Sequence, residues 1–301
     1  MVHTVGFYGH SGRTGVVVTP RLLKARDEGK INLVVLHRPS SDISKLPQDL
    51  EKRVLDLEKG SEDEIKAAVK GINVLLSNVA YFGLADQVKL IKPLSETPGF
   101  VTLIPSGYGP AWAQVTPANA KKANEPTYDQ RLDLIKTPMV AVAQAAADAG
   151  VAVTNVECGL LADGFFQEEF LGTKLSKNEI TLFKDALNKP IYLVTVEGLA
   201  DALVDIVTRE PLTIAGKVFH TNNFAPTGAE IIALSKEING KSEVKINEFT
   251  QEEYDSMMAV PGHGMAIASW HESWCTDNWS WYGERVGEVV DVEEFAKTSV
   301  Q

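Results

Sequence analysis

An α/β fold, a doubly wound parallel sheet carrying a smaller C-terminal α/β lobe, is what this sequence predicts, on three observations. Ile31–Leu36 (INLVVL), Ile72–Ser77 (INVLLS) and Phe100–Ile104 (FVTLI) are apolar without alternation, as strands covered on both faces are. Segments of helical period lie between them, so the strands need crossovers and run parallel. A turn with three glycines, Gly9–Gly15, directly follows the first apolar run.

The elements follow in order. His3–Tyr8 reads as the first strand and about Arg13–Asp27 as a helix, with Pro20 an oddity that should kink or shift it. Ile31–Leu36 is the second strand and Arg53–Leu57 a short third one. Glu62–Lys70 is a helix with Ile65 and Val69 on one face, ended by Gly71. Strand Ile72–Ser77, a helix within Asp86–Pro93, strand Phe100–Ile104, helix Pro138–Ala149 and strand Val151–Glu157 complete the sheet. Residues 1–158 are expected to form the dinucleotide-binding part. Residues 159–301 are expected to form the lobe over the cleft, sharing the core, with helices Val196–Thr208 and Thr227–Ile238, strands at Lys217–His220 and Ser242–Phe249, and a helix start at Thr250.

Composition narrows the partners. A chain of 301 residues, 44% hydrophobic, has room for one such domain and lobe. The formal net charge of -11 repels phosphate backbones and anionic lipid, so no nucleic acid and no membrane partner is expected. The two cysteines form neither a disulfide framework nor a CxxC pair, and no secretory signal is read before the first strand. A cytoplasmic setting is the expectation. His263, His271 and Cys275 have no familiar ligand spacing, so no metal is expected.

The chemistry sits in the turns at the carboxyl ends of the strands. Gly9-His10-Ser11-Gly12-Arg13-Thr14-Gly15 is a GxxGxxG turn between strand and helix, the dinucleotide-binding arrangement of a Rossmann-type fold. The first glycine permits the turn, the second lets the backbone approach a pyrophosphate, and the third lets helix and strand close up. The second strand ends Leu36-His37-Arg38-Pro39-Ser40-Ser41, without the acid that grips a ribose 2′-hydroxyl in NAD sites. Arg38, with Lys45 as a second cation, suits a 2′-phosphate, so the expected cofactor is NADPH/NADP.

Together these pieces resemble the NmrA-like and isoflavone-reductase-like proteins, a branch of the atypical short-chain dehydrogenases/reductases, from Met1 to about Met258. The resemblance rests on Gly9–Gly15, on His37-Arg38, on Asp56 and Leu57 within Val54-Leu55-Asp56-Leu57, on Ser77-Asn78-Val79, and on Pro105-Ser106-Gly107-Tyr108-Gly109, where Gly107 replaces an acid. Thr195–Asp201 and Gly240-Lys241 match later features of the family. It implies a functional lysine at Lys136. Thr137 as N-cap and Pro138 as first helical residue would set that lysine just outside a helix N-terminus, where the dipole and burial favour its neutral amine. The tyrosine of the ordinary Tyr-x-x-x-Lys pair is missing, because Leu132 holds that place. Tyr108 is the best substitute by position, ahead of Tyr81 and His263. Glu157 and Cys158 end the sixth strand and are placed at the cofactor. Glu157 and Asp163, with Phe165 and Phe166, are expected at the pocket mouth.

The tail departs from the family. Trp270, Trp274, Trp279 and Trp281 crowd Ser269–Tyr282, and Trp112 follows the fifth strand. They either anchor the C-terminus on the lobe or wall a site for a flat or cationic substrate. Three functions follow. The first is an NADPH-dependent reductase of a C=O, C=N or C=C bond in an aromatic small molecule of secondary metabolism. The second is a cyclase or isomerase acting on an imine or iminium, of Pictet–Spengler type. The third is a redox sensor that reads NADP and binds a transcription factor. The sequence does not define an oligomeric state.

Overall fold

The structure is a computed structural model that describes residues 2–80, 83–108, 133–240, 243–259, 263–275 and 283–299. Five parallel strands, β1 (Thr4–Tyr8), β2 (Asn32–His37), β3 (Glu51–Val54), β4 (Val74–Ser77) and β5 (Thr102–Ile104), lie in the order β3-β2-β1-β4-β5. The sheet does not stop there. The Leu103 amide donates to the Ala152 carbonyl at 3.0 Å and the Leu103 carbonyl accepts the Thr154 amide at 2.8 Å, which joins β5 to the segment entering β6 (Asn155–Cys158). β6 pairs in parallel with β10 (Val218–Thr221), and β10 with the two-residue β12 (Glu284–Arg285). The order is therefore β3-β2-β1-β4-β5-β6-β10-β12, with its last two strands drawn from the C-terminal half.

Both faces of this sheet are covered, which is why its central strands are apolar throughout. On one face α1 (Gly15–Asp27) and α6 (Val196–Thr208) pack Val18, Leu22, Leu199, Leu203 and Ile206 onto Val5, Phe7, Val35, Leu76, Val156 and Phe219. On the other, α2 (Glu62–Val69), α3 (Ile91–Ser95) and α4 (Asp133–Ala149) pack Ile65, Ile91, Leu94, Val142 and Ala146 onto Leu36, Leu75, Leu103 and Val153. A 3₁₀ turn at Ala85–Leu90 leads into α3, where a single helix over Asp86–Pro93 was expected. Pro20 sits inside a continuous α1 on its solvent side. Its missing amide removes one backbone bond to the Val16 carbonyl, while the Arg21 guanidinium donates to the Val17 carbonyl at 3.0 Å.

The remainder forms a lobe on the carboxyl side of the sheet. β7 (Leu160–Leu161) pairs with β9 (Leu193–Val194), and β8 (Glu179–Leu182) with β11 (Lys245–Glu248), both in parallel. Around them stand α5 (Ala162–Phe166), α8 (Gly228–Ile238), α9 (Gln251–Met258), α10 (His263–Cys275) and α11 (Val292–Ser299), whereas α7 (Pro211–Ile214) lies at the amino end of β10 with Ile214 in the core of the large sheet. Helix starts in this half are well specified. Thr227 with Glu230, and Thr250 with Glu253, each close a capping box, and Thr195 caps α6 through the Gly198 amide.

Two local expectations are corrected. The third strand runs Glu51–Val54, not Arg53–Leu57; Leu55 and Leu57 come after it and are buried beneath the turn. α4 begins at Asp133, so Pro138 lies inside the helix, Thr137 is not its N-cap, and Lys136 belongs to the first turn instead of preceding it.

Candidate functional site: a cleft over the glycine turn

The carboxyl ends of β1, β2 and β4 open into a cleft of about 300 Å³. Its wall is the glycine turn, Gly9 to Gly12, with His37, Arg38 and Ser41 after β2, Leu57 and Glu58 after β3, and Asn78 to Ala80, Gly83 and Asp86 after β4. Tyr8 forms part of its floor.

Backbone geometry makes the turn. Gly9 has φ +104°, and a Cβ there would stand 2.2 Å from the Asn78 carbonyl oxygen. A Cβ on Gly15 would stand 2.0 Å from the Gly9 carbonyl, so only glycine lets α1 start this close to the strand. A Cβ on Gly12 would stand 3.6 Å from the Gly9 carbonyl oxygen, an ordinary contact, so sterics alone do not demand glycine there. The N-terminal amides of α1 lie behind the turn, a favourable position for a phosphate.

Electrostatics mark the far end. Arg38 is exposed at the cleft, and its guanidinium has no hydrogen-bond or ion-pair partner among the described residues. Burial pushes the Tyr8 phenol up to about 12, opposed by the charge of Arg38 and assisted by Asp56 and Asp86. His37 and His10 are buried, their rings against the backbone carbonyls of Arg38 (3.0 Å) and Asp42 (3.2 Å), which stiffens the chain on either side of Arg38.

Of the residues singled out in the sequence, Gly9, Ser11, Gly12, Arg38, Leu57, Asn78 and Val79 meet in this cleft. Thr14 and Gly15 lie just behind, at the start of α1. Others have different positions. Arg13 leans away to pair with Glu168 of the lobe at 2.9 Å. Lys45 is exposed and does not line the cleft. The Asp56 carboxylate accepts the amides of Glu58 and Lys59 at 3.0 Å and borders the neighbouring groove, so it shapes the turn that presents Leu57. Ser77 is fully buried below the cleft, and its carbonyl accepts the Tyr108 hydroxyl at 2.7 Å. That bond and the Cys158 thiol on its carbonyl make Tyr108 a brace between β4 and β6, and burial raises the pKa of its phenol. Cys158 turns into the sheet core, donating to the Tyr108 carbonyl at 2.7 Å, with its thiol pushed up to about 12.

Glu157 points to the opposite face of β6 from Cys158. It is 3% exposed, neither carboxylate oxygen has a partner, and burial pushes its pKa up to about 8. Asp163 lies with the lobe, its Oδ2 accepting the Val196 amide at 3.4 Å.

The aromatic residues proposed for substrate fall into the lobe's core. Phe165, Phe166 and Trp274 are buried, Phe165 stands edge-on to Trp274 at 5.7 Å, and the indole N–H of Trp274 donates to the Lys189 carbonyl at 2.9 Å. Trp270 packs half-buried against the same cluster. They anchor α10, and no face of Phe165 or Trp274 is left for a ligand. Tyr81, Trp112, Trp279 and Trp281 lie outside the described residues, as do the side chains of Lys136 and His263; His263 itself begins α10.

Sequence reasoning missed Tyr8, His10, Ser41, Glu58, Ala80, Gly83 and Asp86 as cleft residues. Only their places, flanking the first glycine or following β2, β3 and β4, signal them. Among the described residues no group of three or more His, Cys, Asp or Glu side chains could hold a metal ion, and no helix is long and apolar enough to cross a membrane.

No family model and no curated protein matches the sequence. Solved structures do match in fold. A leucoanthocyanidin reductase in complex with NADPH from Vitis vinifera superposes with a TM-score of 0.76, at 16% identity over 99% of each chain. A triphenylmethane reductase from Citrobacter sp. complexed with NADP(H) gives 0.70 at 17% identity, over 98% of this chain and 99% of that one. An isoflavone reductase gives 0.72 at 14% identity, over 99% of both. At these identities the likeness is one of fold, and it extends over 98–99% of this chain and 99% of each of these reductases.

Proposed function

We propose that this chain is an NADPH-dependent reductase that delivers hydride to a C=O, C=N or C=C bond of an aromatic small molecule. The observation that carries the reading is the cleft itself: a glycine turn, Gly9 to Gly12, forms its wall, and at the end of β2 it meets Arg38, whose guanidinium has no partner among the described residues, and no acid. The turn would hold the pyrophosphate of the cofactor, Arg38 the adenosine 2′-phosphate, and Asn78 and Val79 would line the cleft beside it. When bound, the cofactor supplies the hydride. Lys136, in the first turn of α4, serves the nicotinamide half, either holding its ribose or exchanging a proton. The acidic surface and the absence of an apolar span among the described residues agree with a small-molecule partner.

The test is a paired titration. NADPH and NADH are titrated by fluorescence against wild type and Arg38→Ala. A charge-assisted phosphate contact is worth on the order of 1.5–3 kcal/mol, so NADPH should weaken about 10- to 100-fold while NADH hardly changes. Equal losses refute the assignment of Arg38. Turnover is then assayed on a leucoanthocyanidin, pinoresinol, an isoflavone and a triphenylmethane dye, with deuterated NADPH. Label in the product establishes a reductase, product without NADPH loss a cyclase or isomerase, and binding with no turnover a sensor.

A further inference from the structure

Glu157 has no role in the fold that would explain its cost. It stands at the third position of the four-residue β6, at the carboxyl end of the parallel sheet where ligands of such folds lie. Alternation along the strand fixes its direction. Val156 and Cys158 face α1 and α6, whereas Val153 faces α2–α4, so Glu157 shares the α4 face. The first turns of α4 cover this end of the sheet: a Cβ on Gly107, at the end of β5, would stand 2.4 Å from the Met139 sulfur. Lys136, one turn before Met139, belongs to the same corner of the backbone. The titratable groups on the surrounding elements are His220, in register with Glu157 on β10, Cys158 and Tyr108 on the opposite face, and Asp133 and Lys136 in α4, whose side chains lie outside the described residues. No described cation neutralises the Glu157 carboxyl, and no hydrogen bond satisfies it. An unpaired carboxylate in such a place costs several kcal/mol, so the group is held as the neutral acid, in line with its value of about 8.

We infer that Glu157 is the proton donor of the reduction, placed at the carboxyl end of β6 beside the nicotinamide ring, neutral when NADPH is bound and ionised when NADP⁺ is. The step balances. A hydride carries two electrons from C4 of the dihydronicotinamide to one end of the substrate's double bond. The proton of Glu157 goes to the other end, the oxygen, nitrogen or second carbon. The ring is left a cation and Glu157 a carboxylate, and the two charges appear together and offset one another where the Glu157 side chain is buried. Solvent returns the proton once NADP⁺ leaves. Lys136 is then free to hold the ribose, which accounts for a site without the usual tyrosine.

The inference rests on NADPH occupying the cleft, and the experiment separates the two. Proton exchange with weakly buffered solution is measured at pH 7 while NADP⁺, and separately NADPH, is titrated into the full chain. Binding isotherms recorded alongside report the cofactor reading itself. Both cofactors carry the same phosphates, so the difference between them isolates the ring charge. Wild type should release close to one proton more per NADP⁺ than per NADPH, and Glu157→Gln should bind both and lose that difference. With whichever substrate wild type reduces, the variant should turn over about 10²-fold more slowly or worse. Equal proton exchange for the two cofactors, or a difference that survives in Glu157→Gln, overturns the inference while leaving NADPH binding intact. Failure of wild type to bind either cofactor overturns both readings. Should the variant not fold, the infrared difference spectrum of wild type on exchanging NADPH for NADP⁺ serves instead: loss of a protonated carboxyl band supports the donor, and its persistence refutes it.

Discussion

Glu157→Gln should change how stability depends on pH, whatever the cofactor does. The wild-type carboxyl keeps its proton up to about 8, against 4.5 for an ordinary glutamate. Between those values the folded chain holds a proton that the unfolded chain has lost, so stability falls as pH rises. The contribution is fully present below 4.5 and lost as pH passes through about 8. At 1.36 kcal/mol per pH unit the whole window is worth roughly 5 kcal/mol, a ceiling that relaxation around the site reduces. His271 acts in the opposite sense. Burial lowers it from 6.5 to about 4, so its contribution is gained as pH rises between those values. In wild type the two slopes oppose one another from 4.5 to 6.5, and above 6.5 the glutamate alone pulls stability down. Glutamine copies the shape of the neutral acid and cannot ionise. The variant should therefore match wild type near pH 4.5, gain on it steadily, and be several kcal/mol more stable at pH 8. Urea unfolding at pH 4.5, 6.5 and 8 measures this. Parallel curves for the two proteins would refute the account of a neutral buried acid.

Other perturbations probe the turn and the lobe. Gly15→Ala would set a methyl 2.0 Å from the Gly9 carbonyl; unfolding should show a loss of about 1–3 kcal/mol, with NADPH affinity falling at least tenfold in the same protein. Unchanged affinity would mean that the turn is not the phosphate site. Trp274→Ala empties a fully buried site and removes the indole N–H that donates to the Lys189 carbonyl, so about 3–5 kcal/mol should be lost in denaturant, while cofactor binding to the folded fraction persists. Removing residues 269–301 takes away Trp274, Phe295 and Ala296 together and should unfold the lobe, visible as lost near-ultraviolet dichroism; a folded, inactive truncation would restore the aromatic-wall reading.

What was legible in the sequence is what packing and turn chemistry impose locally. The buried strands are unbroken apolar runs because both faces are covered, and the glycines at 9 and 15 are forced by contacts of 2.2 and 2.0 Å. Arg38 was legible because it closes a strand whose ligand-facing end is known in advance. The third strand was misplaced because it is the sheet edge: Glu-Lys-Arg-Val is largely polar, and the apolar residues that suggested a strand, Leu55 and Leu57, pack below the turn that follows. Pro138 suggested a helix start because proline favours that position, yet α4 accepts it inside at the loss of one backbone bond. The tryptophans carried no direction in the sequence, since an indole filling a core and one facing a ligand look alike until Phe165 and Lys189 appear beside Trp274. Glu157 was noticed only by its place at the end of a strand, and its isolation depends on every neighbour at once.

The sheet's reach into the C-terminal half has a consequence for how the chain is made. β1 to β5 are complete by Ile104, but β10 waits for residue 218 and its outer neighbour β12 for residues 284–285. On the ribosome, the growing chain exposes one unpaired parallel edge after another, and the edge of β10 stays open until residues 284–285 have emerged. Gly283, at φ +81°, has no room for a Cβ against the Val218 carbonyl, so the chain enters β12 this close to β10 only as glycine. A chain that stalls before residue 284 would present β10 bare, an edge open to pairing with its own copies.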